Sequence, residues 1–276
     1  MTWDLGEWTD DTAMAIPILD ELAAGNDVRT PESQGRIVRR WVEWHEGAKD
    51  VGIQTRAVLS RVKGQAAQRY GDIYKTPDAE LAKISRDAAA LVHHSRGHSG
   101  GNGSLMRTSP IAIGYLNDTQ ALVEAARAVS ELTHLEEDAG DGCVIWCLAI
   151  RHAVVTGQLD VRIGLTALDP ERRALWAGRI DHAETVRPSE IENNGWVVAA
   201  LQASVSAIKR GQGLQDTLEE AVRAGYDTDT VAAITGQLSG AQWGASAVPA
   251  EWARALHGWP GVTGKYLVDK AEKLVP

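Results

Sequence analysis

Apolar residues along most of this chain recur at three- and four-residue spacing, with little of the period-two alternation that marks a strand. That periodicity predicts helices nearly throughout. The predicted segments are Asp11 to Ala23, Pro31 to Glu46, Thr55 to Gln68, Pro77 to His93, Ser104 to Leu116, Thr119 to Leu132, Asp141 to Val155, Pro170 to Glu184, Gly195 to Lys209, Leu214 to Ala224, Thr228 to Leu238 and Lys265 to Glu272. The punctuation agrees. Pro31, Pro77 and Pro170 stand at first turns, and Gly71, Gly157, Gly211 and Gly225 follow last turns. The expected fold is all-α. No composition shift long enough to be a linker interrupts the pattern, so residues 1–276 read as one domain without internal repeats.

Two short segments break the pattern with an excess of oxygen ligands. Trp8-Thr9-Asp10-Asp11-Thr12 and Asp227-Thr228-Asp229-Thr230 each pack carboxylates and hydroxyls into a few residues, the donor set that hard divalent cations such as Mg²⁺ take. Each precedes a small apolar run, Ala13-Met14-Ala15-Ile16 and Val231-Ala232-Ala233-Ile234, that reads as a first helical turn. Acids placed there meet the positive end of the helix dipole. An ordinary N-cap has the same look, but two near-copies carry more carboxylates than capping requires.

Three irregular stretches stand between them. His98-Ser99-Gly100-Gly101-Asn102-Gly103-Ser104 is glycine-dense and runs into Leu105-Met106-Arg107. Its amides could approach an anion at a helix N-terminus, or it could be a flexible loop, since it lacks the Lys-Ser/Thr ending of a P-loop. Asp50-Val51-Gly52-Ile53-Gln54-Thr55 is a turn that leads into a helix, where Asp50 is either a cap or a catalytic acid. Thr133-His134 closes a helix, where a histidine is a C-terminal cap, a packed core residue or a site residue.

Composition narrows the choice of function. A formal net charge of −9 and a pI near 5.4 leave no basic stripe for continuous contact with phosphates, which argues against bulk nucleic-acid binding. Charges interrupt the apolar stretches before the roughly 20 residues a bilayer span needs, and the N-terminus has no charged-then-apolar leader pattern; the expectation is a cytoplasmic protein with no membrane partner. Cys143 and Cys147, the only cysteines, lie one helical turn apart in an apolar segment and read as buried thiols. Ten tryptophans and no phenylalanine mean that indoles supply the aromatic bulk, in the core or around a cleft.

Taken in order, the motifs resemble those of the ADP-ribosylglycohydrolase family. The resemblance rests on Trp8 to Ala15, Asp50 to Arg56, Gly101 to Arg107, Thr133-His134 and Gly225 to Ile234, and continues through Gly236, Gly240-Ala241, Gly244 and Pro249 to Trp252. It implies a compact orthogonal helical bundle with a dinuclear cleft, binding two Mg²⁺ or Mn²⁺, that removes ADP-ribose from a modified protein and releases ADP-ribose as product. Carried over by motif, Thr9, Asp10, Asp11, Asp227, Asp229 and Thr230 are the expected metal ligands. Asp50 and Asp11 are the expected catalytic acids, with Asp50 working on the ribose. Gly52, Gly101, Asn102, Gly103, Ser104, Met106 and His134 are expected at the substrate, with the glycine loop on the diphosphate.

ADP-ribosyl-arginine is the substrate that family precedent implies; the alternative is a protein of the same fold that binds ADP-ribose or metal without efficient turnover. A different dinuclear phosphohydrolase is disfavoured because no histidine adjoins either acidic cluster. The chain departs from the family pattern in three places. It begins almost at its first acidic cluster, whereas family members usually carry a preceding glycine-rich helix that covers the cleft. Tyr226 stands where many members have glycine. Leu135-Glu136-Glu137-Asp138 is unusually acidic, which is expected to disfavour an acidic target surface nearby.

Overall fold

A computed structural model describes residues 3–97 and 99–275; His98, the first residue of the glycine-dense stretch, lies outside the described residues. The all-α expectation holds. The helices are α1 (Asp10–Ala23), α2 (Pro31–Gly47), α3 (Ile53–Tyr70), α4 (Asp78–Arg96), α5 (Ser109–Gly114), α6 (Thr119–Ser130), α7 (Glu137–Thr156), α8 (Pro170–Thr185), α9 (Val197–Arg210), α10 (Leu214–Val222), α11 (Thr228–Trp243), α12 (Ala250–Ala255) and α13 (Gly264–Ala271). Between α12 and α13 lies a small hairpin of β1 (His257–Gly258) and β2 (Val262–Thr263).

Each predicted segment carries a helix except Ser104 to Leu116, which splits. A 3-10 turn over Leu105–Arg107 comes first, and α5 begins afresh with Pro110 in its first turn. Proline has no N–H to continue a preceding helix, so it starts one instead. Helix α7 starts a turn earlier than its periodicity suggested, because Glu137 and Asp138 occupy its first turn at the favourable end of the dipole. Short α12 and the two-residue strands of the hairpin are too brief to carry a readable period.

Helix α7 is the axis of the bundle and packs against α5, α6, α9 and α11. It corrects one sequence expectation: by length and composition Glu137–Thr156 is apolar enough to cross a membrane, but 72% of that window is buried within the protein. Gly164 packs directly against it, where a Cβ would stand 2.5 Å from the Ile145 backbone.

Three tryptophans lie wholly in the core, and each indole N–H has a partner there, as a buried indole requires. Trp41 donates to the Met14 carbonyl at 2.9 Å and ties α2 to α1. Trp146 donates to the Ile234 carbonyl at 3.0 Å and ties α7 to α11. Trp176 donates to Asp141 at 3.1 Å. The first two bonds hold the two helices that begin with the acidic clusters. A second core of Ala199, Ala203, Ala207, Ala221 and Val231 lets α9, α10 and α11 lie close together.

The acidic stretch that leads into α7 is partly neutralised by arginines of α8. Asp138 pairs with Arg172 and, at 2.8 Å, with Arg179, while the fully buried Asp141 meets Arg127 at 2.5 Å and Arg172 at 2.6 Å. Burial alone pushes Asp138 up, but the guanidinium groups of Arg179 and Arg172 hold it below the usual carboxylate range. Glu136 turns inward to accept the Ser99 amide at 2.8 Å.

Candidate active site

The two acidic clusters meet. Asp10 and Asp11 occupy the first turn of α1 and Asp229 the first turn of α11, and ligand oxygens of the three lie within 4.8 Å of one another. The start of α1 is fixed by the C-terminal hairpin: the Trp8 amide donates to the His257 carbonyl at 2.9 Å, and the Trp8 indole to the Trp259 carbonyl at 3.1 Å. At α11, Gly225 and Tyr226 both adopt positive φ, 77° and 58°. That left-handed turn is why glycine suits position 226; a tyrosine there costs about 1–2 kcal/mol. Asn194 holds the turn, accepting the Asp227 amide at 3.1 Å and donating to the Gly225 carbonyl at 2.9 Å.

From the acids a cleft of about 380 Å³ runs to the glycine loop, lined at one end by Asp10, Asp50, Asp227, Asp229 and Thr230 and at the other by Gly101, Asn102 and Gly103. Asn102 joins the two ends, its amide donating to Asp227 at 2.7 Å and to the Asn194 carbonyl at 3.0 Å. The loop leads into the 3-10 turn at Leu105–Arg107 rather than into an α-helix, so the expected long helix dipole behind it is absent. Its glycines answer a closer demand. A Cβ at Gly103 would stand 3.0 Å from His134 Cε1, and one at Gly101 would stand 3.4 Å from His134 Nε2.

His134 is buried with its ring beneath that loop, and burial together with the nearby Arg107 charge lowers its pKa to about 3. It is therefore neutral. Arg107, also buried, lies 3.9 Å over the Trp41 ring and donates to Thr133 Oγ1 at 2.7 Å. Burial lowers its pKa to about 9, which leaves it a cation at neutral pH. Thr133 Oγ1, which accepts from Arg107, shares a hydrogen bond of 2.7 Å with His134 Nδ1. Its other ring nitrogen, Nε2, faces the loop at Gly101 and Gly103.

The other expected residues take distinct places. Gly52, Met106 and His134 line the cleft with the acids, and the Gly52 amide donates to Asp10. Asp50 is exposed at the cleft wall, and its Oδ1 accepts the Val51 amide at 2.7 Å. Asp11 lies beneath the floor, and one of its oxygens accepts from Thr9 at 2.5 Å. Ser104 does not reach the cleft; its hydroxyl is buried 3.6 Å from the Cys143 thiol. Gln54, Thr55 and Gly195 line the cleft without having been singled out, although the first two sit inside the Asp50 motif and Asn193-Asn194-Gly195 is a turn signal before α9.

The acid end fits a hard divalent cation. Burial, then Asp50 and Asp229, push Asp10 up to about 7. Burial and Asp10 raise Asp11 well above the carboxylate range, and burial raises Asp227. Asp11 Oδ1 is buried without a hydrogen-bond partner. Converging carboxylates with an orphaned oxygen are deficient in positive charge, and Thr9 and Thr230 add neutral oxygens suited to the same ions. The linkage sign follows from Asp10 and Asp11, whose folded pKa values exceed the unfolded value of about 4. Folding takes up protons between those values, so metal-free stability falls as pH rises through about 7. In chelator, the midpoint of thermal unfolding is expected to rise as pH is lowered from about 8 to 6. Saturating Mg²⁺ should flatten that slope, and an unchanged slope would exclude cation binding by these acids.

Comparison with known proteins agrees with this geometry. The family model described as ADP-ribosylglycohydrolase matches residues 1–275. The ADP-ribosylarginine hydrolases Tri1 of Pseudomonas putida and Serratia proteamaculans are 26% and 23% identical over 254 and 247 residues, 90% of this chain in each case. The chain spans 62% of the length of each. The human ADP-ribosylhydrolase ARH3 is 23% identical over 292 residues, covering 91% of this chain and 75% of its own. A solved structure titled as an ADP-ribosylglycohydrolase-related protein complex superposes with a TM-score of 0.68 at 27% identity, covering 98% of this chain and 81% of that one. With a match of that extent, and with an acidic cluster at the start of each of two adjoining helices, the chain belongs to the ADP-ribosylglycohydrolase family.

Proposed function

We propose that the protein is an ADP-ribosylhydrolase that cleaves ADP-ribose from arginine side chains of modified proteins, with two Mg²⁺ or Mn²⁺ ions held by Thr9, Asp10, Asp11, Asp227, Asp229 and Thr230. The observation that carries this reading is the single cleft with convergent acids at one end and a glycine loop at the other. Such a cleft takes a sugar with a diphosphate tail, the sugar at the acids and the tail at the loop. The Tri1 relatives, whose names give them arginine-linked substrates, support the choice of arginine.

Bound divalent cations supply Lewis-acid polarisation and orientation of ribose hydroxyls and water. The chain's own residues do the rest. Asn102 fixes Asp227 relative to the loop, so sugar and tail are held at a set separation. His134, being neutral, brings no charge to the diphosphate end. Water adds to the anomeric carbon as the carbon–nitrogen bond breaks, and the bonding pair leaves with the guanidino nitrogen. Asp50, exposed beside Asp10, is the group placed to take a proton from the water and return one to that nitrogen.

The reading is tested by ADP-ribose release from an arginine-ADP-ribosylated protein with Mg²⁺, with Mn²⁺ and with chelator. Metal-dependent release is expected; ADP-ribose binding without release would make the chain a binding protein of this fold. Asp50→Asn is expected to lower kcat about a hundredfold or more while changing ADP-ribose affinity by less than about threefold. An equal loss in both would reassign Asp50 to binding.

A further inference from the structure

We propose that a second, smaller cavity beside the acids receives the acceptor side chain and selects a guanidinium, an inference that rests on the ADP-ribosylhydrolase reading. This cavity holds about 150 Å³ and shares Asp10 and Asp50 with the main cleft. A sugar whose anomeric carbon lies at those two acids therefore has one cavity on either side. Its diphosphate tail runs along the larger one, and the group attached at the anomeric carbon enters the smaller. The volume falls below the roughly 300 Å³ at which small-molecule sites begin, so it suits a slender side chain and not a second sugar or base.

Its walls are built for a planar cation. Four indoles line it, those of Trp3, Trp8, Trp44 and Trp259. Two already carry cations from the chain itself: Lys49 Nζ lies 5.2 Å over Trp3, and the Arg40 guanidinium lies 5.4 Å over Trp259. Indole faces attract such groups, and a guanidinium stacks on them as well. The carboxylates complete the site. Glu7 is engaged by Lys49 at 2.6 Å, and Glu43 on α2, whose carboxylate receives the Tyr74 hydroxyl, is a further acid in the lining. Divalent ions at the acidic cluster would neutralise Asp10, so Glu43 and Asp50 are the charges that remain for an incoming guanidinium.

The probe pair is n-butylguanidine and its uncharged isostere n-butylurea, titrated by calorimetry into protein saturated with Mg²⁺ and ADP-ribose. Saturable butylguanidine binding is expected, with butylurea at least about tenfold weaker. Glu43→Gln is expected to weaken butylguanidine about tenfold, and Trp3→Ala, at a partly exposed position, several-fold. ADP-ribose affinity in the same variants reports that they are folded. Equal affinity for the two probes, no saturable binding, or a Glu43→Gln variant that binds butylguanidine like the parent would each overturn the proposal. The release assay on arginine-linked protein is separate, so failure of hydrolysis and failure of the guanidinium pocket are read independently.

Discussion

Asp229→Ala is expected to lower turnover at least about a thousandfold, equivalent to roughly 4 kcal/mol of transition-state stabilisation, and to abolish Mg²⁺ binding measured by calorimetry. The size of the effect follows from where the three acids stand. Asp10 and Asp11 are adjacent on one helix, and Asp229 is the carboxylate that α11 adds to their group. Its side chain is exposed and sits in the first turn of α11, so the helix loses at most about 1 kcal/mol of dipole interaction. Helicity by circular dichroism should be unchanged. Removing Asp229 also removes one source of repulsion on Asp10, so the variant should be no less stable than the parent in chelator while failing to gain stability from Mg²⁺. Full turnover with Mg²⁺ in this variant would mean that the cluster is not a metal site.

Asp141→Ala is expected to cost about 3–5 kcal/mol of folding stability. Asp141 is fully buried on α7 and satisfies Arg127 from α6, Arg172 from α8 and the indole of Trp176. Alanine leaves the Trp176 N–H without its acceptor and both guanidinium groups short of a partner. Arg127 can turn to solvent and Asp138 still holds Arg172, which places the result toward the lower end of that range. Asp141→Asn keeps an acceptor for the indole and should lose less. Urea unfolding of the three proteins decides it, and a loss under about 1 kcal/mol for alanine would show that the cluster is not needed for stability.

The helices were legible because their apolar faces repeat within a dozen residues, and the acidic clusters because a helix start concentrates Asp and Thr locally. Asp50 was legible for the same reason, standing in a turn before α3. What could not be read locally depends on residues far apart in sequence. Arg107 is buried only because Trp41 of α2 lies under it and Thr133 faces it, and no pattern around position 107 announces either. Asn102 was singled out as a substrate contact, while the structure also makes it the brace of Asp227, 125 residues away. Ser104 shows the converse: its place beside glycines suggested a ligand, but the 3-10 turn that follows rotates it toward Cys143. The break before α5 was written in Ser109-Pro110, and the apolar period on either side masked it.

The wide separation of the two acidic clusters along the chain sets a timing. Asp10 and Asp11 leave the ribosome well before Asp229, and through that interval they are a half-site whose carboxylates lack their counterpart. The cluster exists only once Asp229 has been made and α11 has docked beside α1, a closure of high sequence separation that follows local helix formation. Cation capture thus follows tertiary folding, confined to molecules in which α1 and α11 have already met.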